Sequence, residues 1–408
     1  MSQASPTALR TLDQAEFSGK RALVRVDLNV PMRDGVIADD ARLRACLPTI
    51  NALRREGART ILISHFGRPG GERDPSMSLR PLVAPLSKLL GAPVAFAEDC
   101  IGPAAKSAVA RMKSGDVLLL ENMRFHSGEE ADDPVFARAL AANGDLYVDD
   151  AFSAAHRAHA STVGLPRLLP AYAGNAMRRE LEALGSSLDH PTRPVLGLVG
   201  GSKVSTKLGL LRNLILKLDS LAIGGGMANT FLLAQGWSVG ASQVERDLVD
   251  EARGIIAFAA RHGCRLLLPC DVVVAERLES GAQTHIRQSG QVQADERILD
   301  LGPLSVGRLM AAMDEARTLI WNGPLGVFEI PPFDRATAQA ARHAAGRVKA
   351  GKLAAIAGGG DTDAALEAAG VAGDFTFVST AGGAFLEWVE GKRLPGIAAL
   401  EAHREMVR

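Results

Sequence analysis

The sequence predicts two parallel α/β domains, each a doubly wound, Rossmann-like sheet, facing each other across a cleft. Three observations predict this. Short β-branched or leucine-rich runs alternate throughout with alanine- and leucine-rich stretches, the pattern of βαβ units. The chain has 408 residues, too many for one ordinary core. The apolar runs also end differently in the two halves, in basic and polar residues early on and in glycines later. Ligands of parallel α/β domains sit outside the carboxyl ends of the strands, so these run ends are where chemistry is expected.

The first run, ALVRV, leads to Asp27 and Asn29. Both alternate with Val26 and Leu28, which predicts that they face one way on a strand, placed to meet a substrate hydroxyl. A helix is expected over 42–56. TILIS then leads to His65 and Arg68, and helices follow over 80–90 and 104–113. VLLLE leads to Arg124, a helix is expected over 134–142, and DLYV leads to Asp149, Asp150 and then His156-Arg157. Arg42, His65, Arg68, Arg124 and Arg157 thus all fall at or near strand ends. One loop arginine is usually a solvated charge. Several on one sheet edge would repel one another unless an anion sat among them, and the guanidinium fork suits carboxylate and phosphate.

The segment NAMRRELEALGSSLD (175–189) reads as a connecting helix ended by His190-Pro191. The expected division is therefore 1–174 as an anion-binding domain, 175–190 as the connector and 191–390 as a nucleotide-binding domain. Pattern alone does not give the destination of the tail 391–408; the expectation is that it packs back toward the N-terminal domain.

In the second half, PVLGLV leads to Gly200-Gly201-Ser202-Lys203. Glycines there let backbone N–H groups approach a phosphate, and a following helix N-terminus favours its charge. Lys203 and Lys207 are four apart, so on a helix they project from one face. The segment is not a Walker motif, which would need Gly at Ser202 and Ser or Thr at Val204. LAAIA leads to AGGGDTDAA (357–365), which either sets Asp361 as a Mg²⁺ ligand at a nucleotide or is a tight turn with Asp361 or Thr362 as a plain N-cap. WNGPLGVFE (321–329) reads alone as a turn; beside a nucleotide, Glu329 would accept from ribose hydroxyls.

Composition excludes other classes. Lys+Arg and Asp+Glu are equal at 46, and aromatics make up 4%, so neither nucleic acid nor an anionic membrane is an expected partner. The four cysteines show no CxxC pair or zinc spacing and read as thiols of a reducing, cytoplasmic compartment. His156 and His159 lack further ligands at a convincing spacing, so no zinc is assigned to them. No GxGxxG fingerprint supports a dehydrogenase.

Taken together, RVDLNVP (25–31), SHFGRP (64–69), ENMRFH (121–126), DAFSAAHRAHAS (150–161), GGSKVSTK (200–207), GGGMANTF (224–231), WNGPLGVFE (321–329), GGGDT (358–362) and STAGGA (379–384) resemble the phosphoglycerate kinase family, in family order. Phe66 and Met123 stand where leucine is usual, and Ala381 replaces a usual glycine, which implies a position needing no positive φ. The resemblance implies reversible transfer between 1,3-bisphosphoglycerate and ADP, giving 3-phosphoglycerate and ATP, with Mg²⁺, in a hinge-bending monomer. It implies that Arg42, His65, Phe66, Gly67, Arg68, Arg124 and Arg157 hold the phosphoglycerate, with Asp27 and Asn29 on the glycerate. Lys207, Gly323, Glu329, Gly358, Gly359, Gly360, Asp361 and Thr362 fall to the nucleotide, Asp361 toward the metal. Arg42, Lys203 and Lys207 are the implied catalytic residues. The alternative is a nucleotide-binding relative that has lost activity and serves a regulatory role.

Overall fold

The computed structural model describes residues 9–33, 35–188 and 190–406. It divides into two compact units, Met1–Glu182 with Arg393–Arg408, and Ala183–Lys392. The division falls inside the helix Asn175–Leu188. Asp189, the last residue of the expected helix, lies outside the described residues.

The first unit is built on a six-stranded, all-parallel sheet. Its order is Val94–Ala97, Val117–Leu120, Arg59–Ile63, Arg21–Arg25, Leu146–Asp149 and Ala171–Ala173. The central strands are buried on both faces, which is why they read as continuous apolar runs rather than alternating ones. Helices Ala41–Arg55, Val83–Leu90, Gly102–Ala110 and Pro134–Ala141 connect the strands, close to their expected positions. Pro134 sits at the first helical position after Asp133, whose carboxylate accepts from the Val135 and Phe136 amides and so satisfies two of the orphan donors of that helix. The tail helix Pro395–Met406 belongs to this unit, where the Gly396 amide donates to the Ala155 carbonyl at 2.9 Å.

The second unit carries another six-stranded parallel sheet, in the order Arg265–Leu267, Ser220–Ile223, Val195–Val199, Thr318–Asn322, Ala354–Gly358 and Phe377–Ser379. Both orders reverse direction beside the first strand of the unit, the doubly wound arrangement that opens a crevice at the strand ends. A three-stranded antiparallel sheet, Asp271–Ala275 between His285–Gln288 and Arg297–Leu301, was not anticipated. Its flanking strand 285–288 is largely exposed, so its sequence lacks the apolar signal of the core strands. Among the described residues no helix is long and apolar enough to cross a membrane.

Candidate functional site

The N-terminal unit gathers positive charge at the carboxyl ends of its central strands. Arg25 closes the strand Arg21–Arg25 and is 1% exposed, a charge buried inside an apolar run. Such a side chain must be satisfied internally. Its guanidinium donates to Val26 O at 2.6 Å, to Ser161 Oγ at 3.2 Å and to His65 Nδ1 at 3.0 Å. A guanidinium only donates, so Nδ1 of His65 accepts and the ring proton resides on Nε2. Burial holds the His65 pKa well below the usual imidazole range, and Arg25, Arg124, Arg157 and Arg42 push it the same way. His65 is therefore a neutral donor amid four guanidiniums.

Asp27 and Asn29 correct one expectation. The strand ends at Arg25, so they lie in an irregular segment beyond it, which turns at Asn29 where the Val30 amide donates to the Leu28 carbonyl at 2.8 Å. Val26, Leu28 and Val30 are nevertheless buried while Asp27 and Asn29 are partly exposed, so the alternation survives without strand pairing. The Asp27 carboxylate accepts from the Asn29 amide at 3.0 Å and from Ser153 Oγ at 2.6 Å. Arg42, from the first turn of the helix Ala41–Arg55, reaches Asp27 at 3.2 Å and the Asn29 carbonyl at 2.7 Å. Asn29 Oδ1 accepts from the Gly67 amide at 2.9 Å. Gly67 has φ +61° and lies against Met77, a conformation and a space that favour glycine.

Arg124, 4% exposed, donates to the Gly67 carbonyl at 2.7 Å and faces Glu130 at 3.1 Å. Burial lowers its pKa to about 10, with Glu130 opposing, so it stays charged at neutral pH. Asn122 fixes this region, accepting from the Phe66 and Arg124 amides and donating to the Phe66 and Met77 carbonyls. Arg157 is partly exposed beside His156, to which its Nε donates at 3.2 Å. Arg68 is exposed and is not among the guanidiniums that chiefly act on His65.

In the second unit, three glycine-rich turns pack backbone to backbone. The amides of Gly200, Gly201 and Gly225 donate to the carbonyls of Asn322, Pro324 and Leu325. A Cβ at Gly200 would overlap the Pro324 carbonyl, so this approach demands glycine. The expected shared helix face for Lys203 and Lys207 is not formed. Residues 201–207 make bends and turns, and the helix begins only at Leu208, with Lys207 as its N-cap. The delay has a local cause: Gly201 has φ +113°, and the Glu245 carboxylate holds Ser205 by both its amide and its hydroxyl. Lys203 is exposed in this turn.

Lys207 is half-buried, and its Nζ donates to the Gly200 carbonyl and to Asn322 Oδ1, each at 2.6 Å. Burial lowers its pKa to about 8, with Asp361 opposing. Gly358 ends its strand, and Gly359, with φ +105°, precedes the helix Gly360–Ala368. Asp361 is exposed in the first turn of that helix, and Gly360 is exposed before it. Thr362 has a different place: its buried hydroxyl donates to the Gly358 carbonyl and accepts from the Gly323 amide at 2.7 Å. It ties two loops together, and neither it nor Asp361 is the N-cap. Gly323 has φ +96°, and Glu329 is exposed in a turn. Ala381 is not among the residues of positive φ; the next residue, Gly382, takes φ +52°.

Arg25, Asn122 and Asn322 were not singled out from sequence. Arg25 carried the clearest missed signal, a charge within ALVRV, since charged residues are almost never fully buried unless paired.

The sequence model of the phosphoglycerate kinase family matches residues 12–392. The phosphoglycerate kinase of Caulobacter vibrioides (strain NA1000 / CB15N) is 64% identical over 393 residues, covering 96% of this chain and 99% of that one. That of Methylorubrum extorquens (strain PA1) is 57% identical over 397 residues, 97% of this chain and 99% of that one. Among solved structures, phosphoglycerate kinase from Coxiella burnetii superposes with a TM-score of 0.89 at 40% identity, covering 97% of this chain and 99% of the other. The Pyrococcus horikoshii OT3 structure gives 0.83 at 30% identity, covering 97% and 100%. With motifs, sheet topology and full-length similarity in agreement, the chain belongs to the phosphoglycerate kinase family.

Proposed function

We propose that this enzyme transfers a phosphoryl group reversibly between 1,3-bisphosphoglycerate and ADP, with the first unit holding the phosphoglycerate and the second the nucleotide. The observation that carries the assignment is a buried, neutral imidazole that Arg25 bonds at 3.0 Å and on whose charge Arg42, Arg124 and Arg157 also act, an arrangement that invites an anion. The inactive alternative finds no support: Arg42, Lys203, Lys207 and Asp361 are all present.

Arg42, Arg124 and Arg157 supply fixed positive charge, and His65 offers its Nε2 proton. Asp27 and Asn29 take the glycerate portion, and Arg42 is anchored to both of them. Phe66, Gly67 and Arg68 border the same end. In the ATP-consuming direction the attacking group is a carboxylate, ionised at neutral pH, so no general base is needed. Catalysis then rests on positioning and on neutralising charge over the equatorial phosphoryl oxygens.

On the nucleotide side, Lys207 and the amides opening the helix Gly360–Ala368 meet phosphate, Gly323 and Gly358 to Thr362 shape the loops, and Glu329 accepts from ribose. Lys203, exposed and unburdened by the helix, reaches toward the transferring group. The donor set fits Mg²⁺: Asp361 offers a hard, exposed carboxylate close enough to Lys207 to raise its pKa. When bound, Mg²⁺ would be held by Asp361 and would neutralise phosphate charge. Four free cysteines fit a reducing cytoplasm, where we place the enzyme as a monomer.

A coupled assay of ATP-dependent phosphorylation of 3-phosphoglycerate tests this reading. Turnover that requires both substrates and stops on chelation of Mg²⁺ supports it; no turnover by the folded protein refutes it.

A further inference from the structure

Outside the anion and nucleotide sites, the first unit brings together three side chains of mixed donor type. The strands Val94–Ala97 and Val117–Leu120 are parallel neighbours, so the segments beyond their carboxyl ends emerge side by side. One carries Asp99 and Cys100 and the other His126, 26 positions on from Cys100, a spacing no linear motif would reveal. A carboxylate oxygen, the Cys100 Sγ and an imidazole nitrogen all lie within 4.8 Å of one another.

We propose that Asp99, Cys100 and His126 form a site for one borderline divalent transition metal ion, of which Zn²⁺ is the type. One thiolate, one imidazole and one carboxylate make a donor set suited to Zn²⁺ rather than to Mg²⁺ or Ca²⁺. The surroundings hold these donors. His126 Nε2 and Asp99 Oδ1 are 2.7 Å apart, and the Cys100 amide donates to the same Oδ1, so one carboxylate oxygen pins both neighbours. Buried Asn143 donates to the Cys100 carbonyl at 3.0 Å, and the Phe136 ring packs 5.3 Å from that of His126. Asp99 and His126 are partly exposed while Cys100 is buried, so an ion enters from the carboxylate and imidazole side and a water completes the coordination.

A dication bound here would offset the carboxylate and thiolate charges that these donors bring together. Binding forms the metal–sulfur bond as the thiol proton leaves to solvent. The imidazole nitrogen that meets the ion binds through its lone pair, with the ring proton on the other nitrogen.

The test titrates the full, chelator-treated chain, without nucleotide, with Co²⁺. One equivalent should produce a thiolate-to-cobalt charge-transfer band with the intense visible bands of a four-coordinate ion. Zn²⁺ should abolish the spectrum and excess Mg²⁺ should not. Cys100→Ser should lose the charge-transfer band, Cys270→Ser should keep it, and His126→Asn should weaken binding at least about tenfold. If Cys100→Ser does not fold, His126→Asn and Asp99→Asn, altered at partly exposed side chains, decide the matter. No charge-transfer band in the unaltered chain, or unchanged cobalt affinity in His126→Asn, overturns the proposal.

Discussion

Lys207 Nζ donates to Asn322 Oδ1 at 2.6 Å, joining the turn after one central strand to the end of its neighbour. The ammonium is thereby held at the strand ends, where burial leaves its pKa at about 8. This contact sets the first prediction. A phosphate beside Lys207 favours the charged form and raises its pKa on binding. Affinity for MgADP should therefore be full below about pH 8 and fall as pH rises above it, with proton uptake on binding in that range. Calorimetry in buffers of different ionisation enthalpy measures the uptake, and Lys207→Ala should abolish it.

Arg42 spans Asp27 and the Asn29 carbonyl, so its guanidinium is aligned before substrate arrives. Arg42→Ala should lower turnover roughly 10²–10³-fold, the loss of about 2.7–4 kcal/mol found when one aligned transition-state contact is removed. The coupled assay with circular dichroism reads both quantities. Near-normal turnover would make Arg42 a structural partner of Asp27 only.

Asp150 is buried at the start of the helix Asn175–Leu188, its Oδ1 accepting from the Ala176 amide at 2.8 Å. Burial raises its pKa to about 8, above the ordinary carboxylate value near 4. Folding therefore takes up a proton between those limits, and the group's contribution to stability, full below about pH 4, is lost as pH rises through about 8. Asp150→Asn keeps the accepting oxygen and cannot ionise. It should flatten the fall in stability across this window. Urea unfolding at pH values across the window measures this; an unchanged slope would contradict it.

Transfer requires the reacting atoms ~3–3.5 Å apart with water excluded. Both ligands together should therefore draw the two units closer, with Gly174, the helix Asn175–Leu188 and His190-Pro191 as the moving elements. Solution scattering on apo, binary and non-reacting ternary samples should show the smallest radius of gyration in the ternary state. Four equal values would exclude closure.

The parallel sheets were legible because strands buried on both faces spell continuous apolar runs, and the helices between them kept their period. The residues ending those runs were legible for the same reason. Less was legible where backbone geometry overrode spacing. Lys203 and Lys207 suggested one helix face, yet Gly201 and the Ser205–Glu245 bonds postpone the helix to Leu208. Thr362 sat in a phosphate-like motif, but its hydroxyl is spent on Gly358 and Gly323. Arg25 hid in a strand because its partner His65 lies 40 positions on, a contact no local pattern reveals. The antiparallel sheet was silent because its flanking strand is exposed.

The division of labour between the units is tested most directly by crossed titration. Unaltered chain, Arg124→Ala and Lys207→Ala would each be titrated separately with 3-phosphoglycerate and with MgADP. Each lost charge-assisted contact is worth about 1.5–3 kcal/mol, or roughly 10–150-fold in affinity. Arg124→Ala should lose that much for 3-phosphoglycerate and bind MgADP as before, and Lys207→Ala should do the reverse. Both variants weakening the same ligand, or neither weakening its own while folded, would contradict the account.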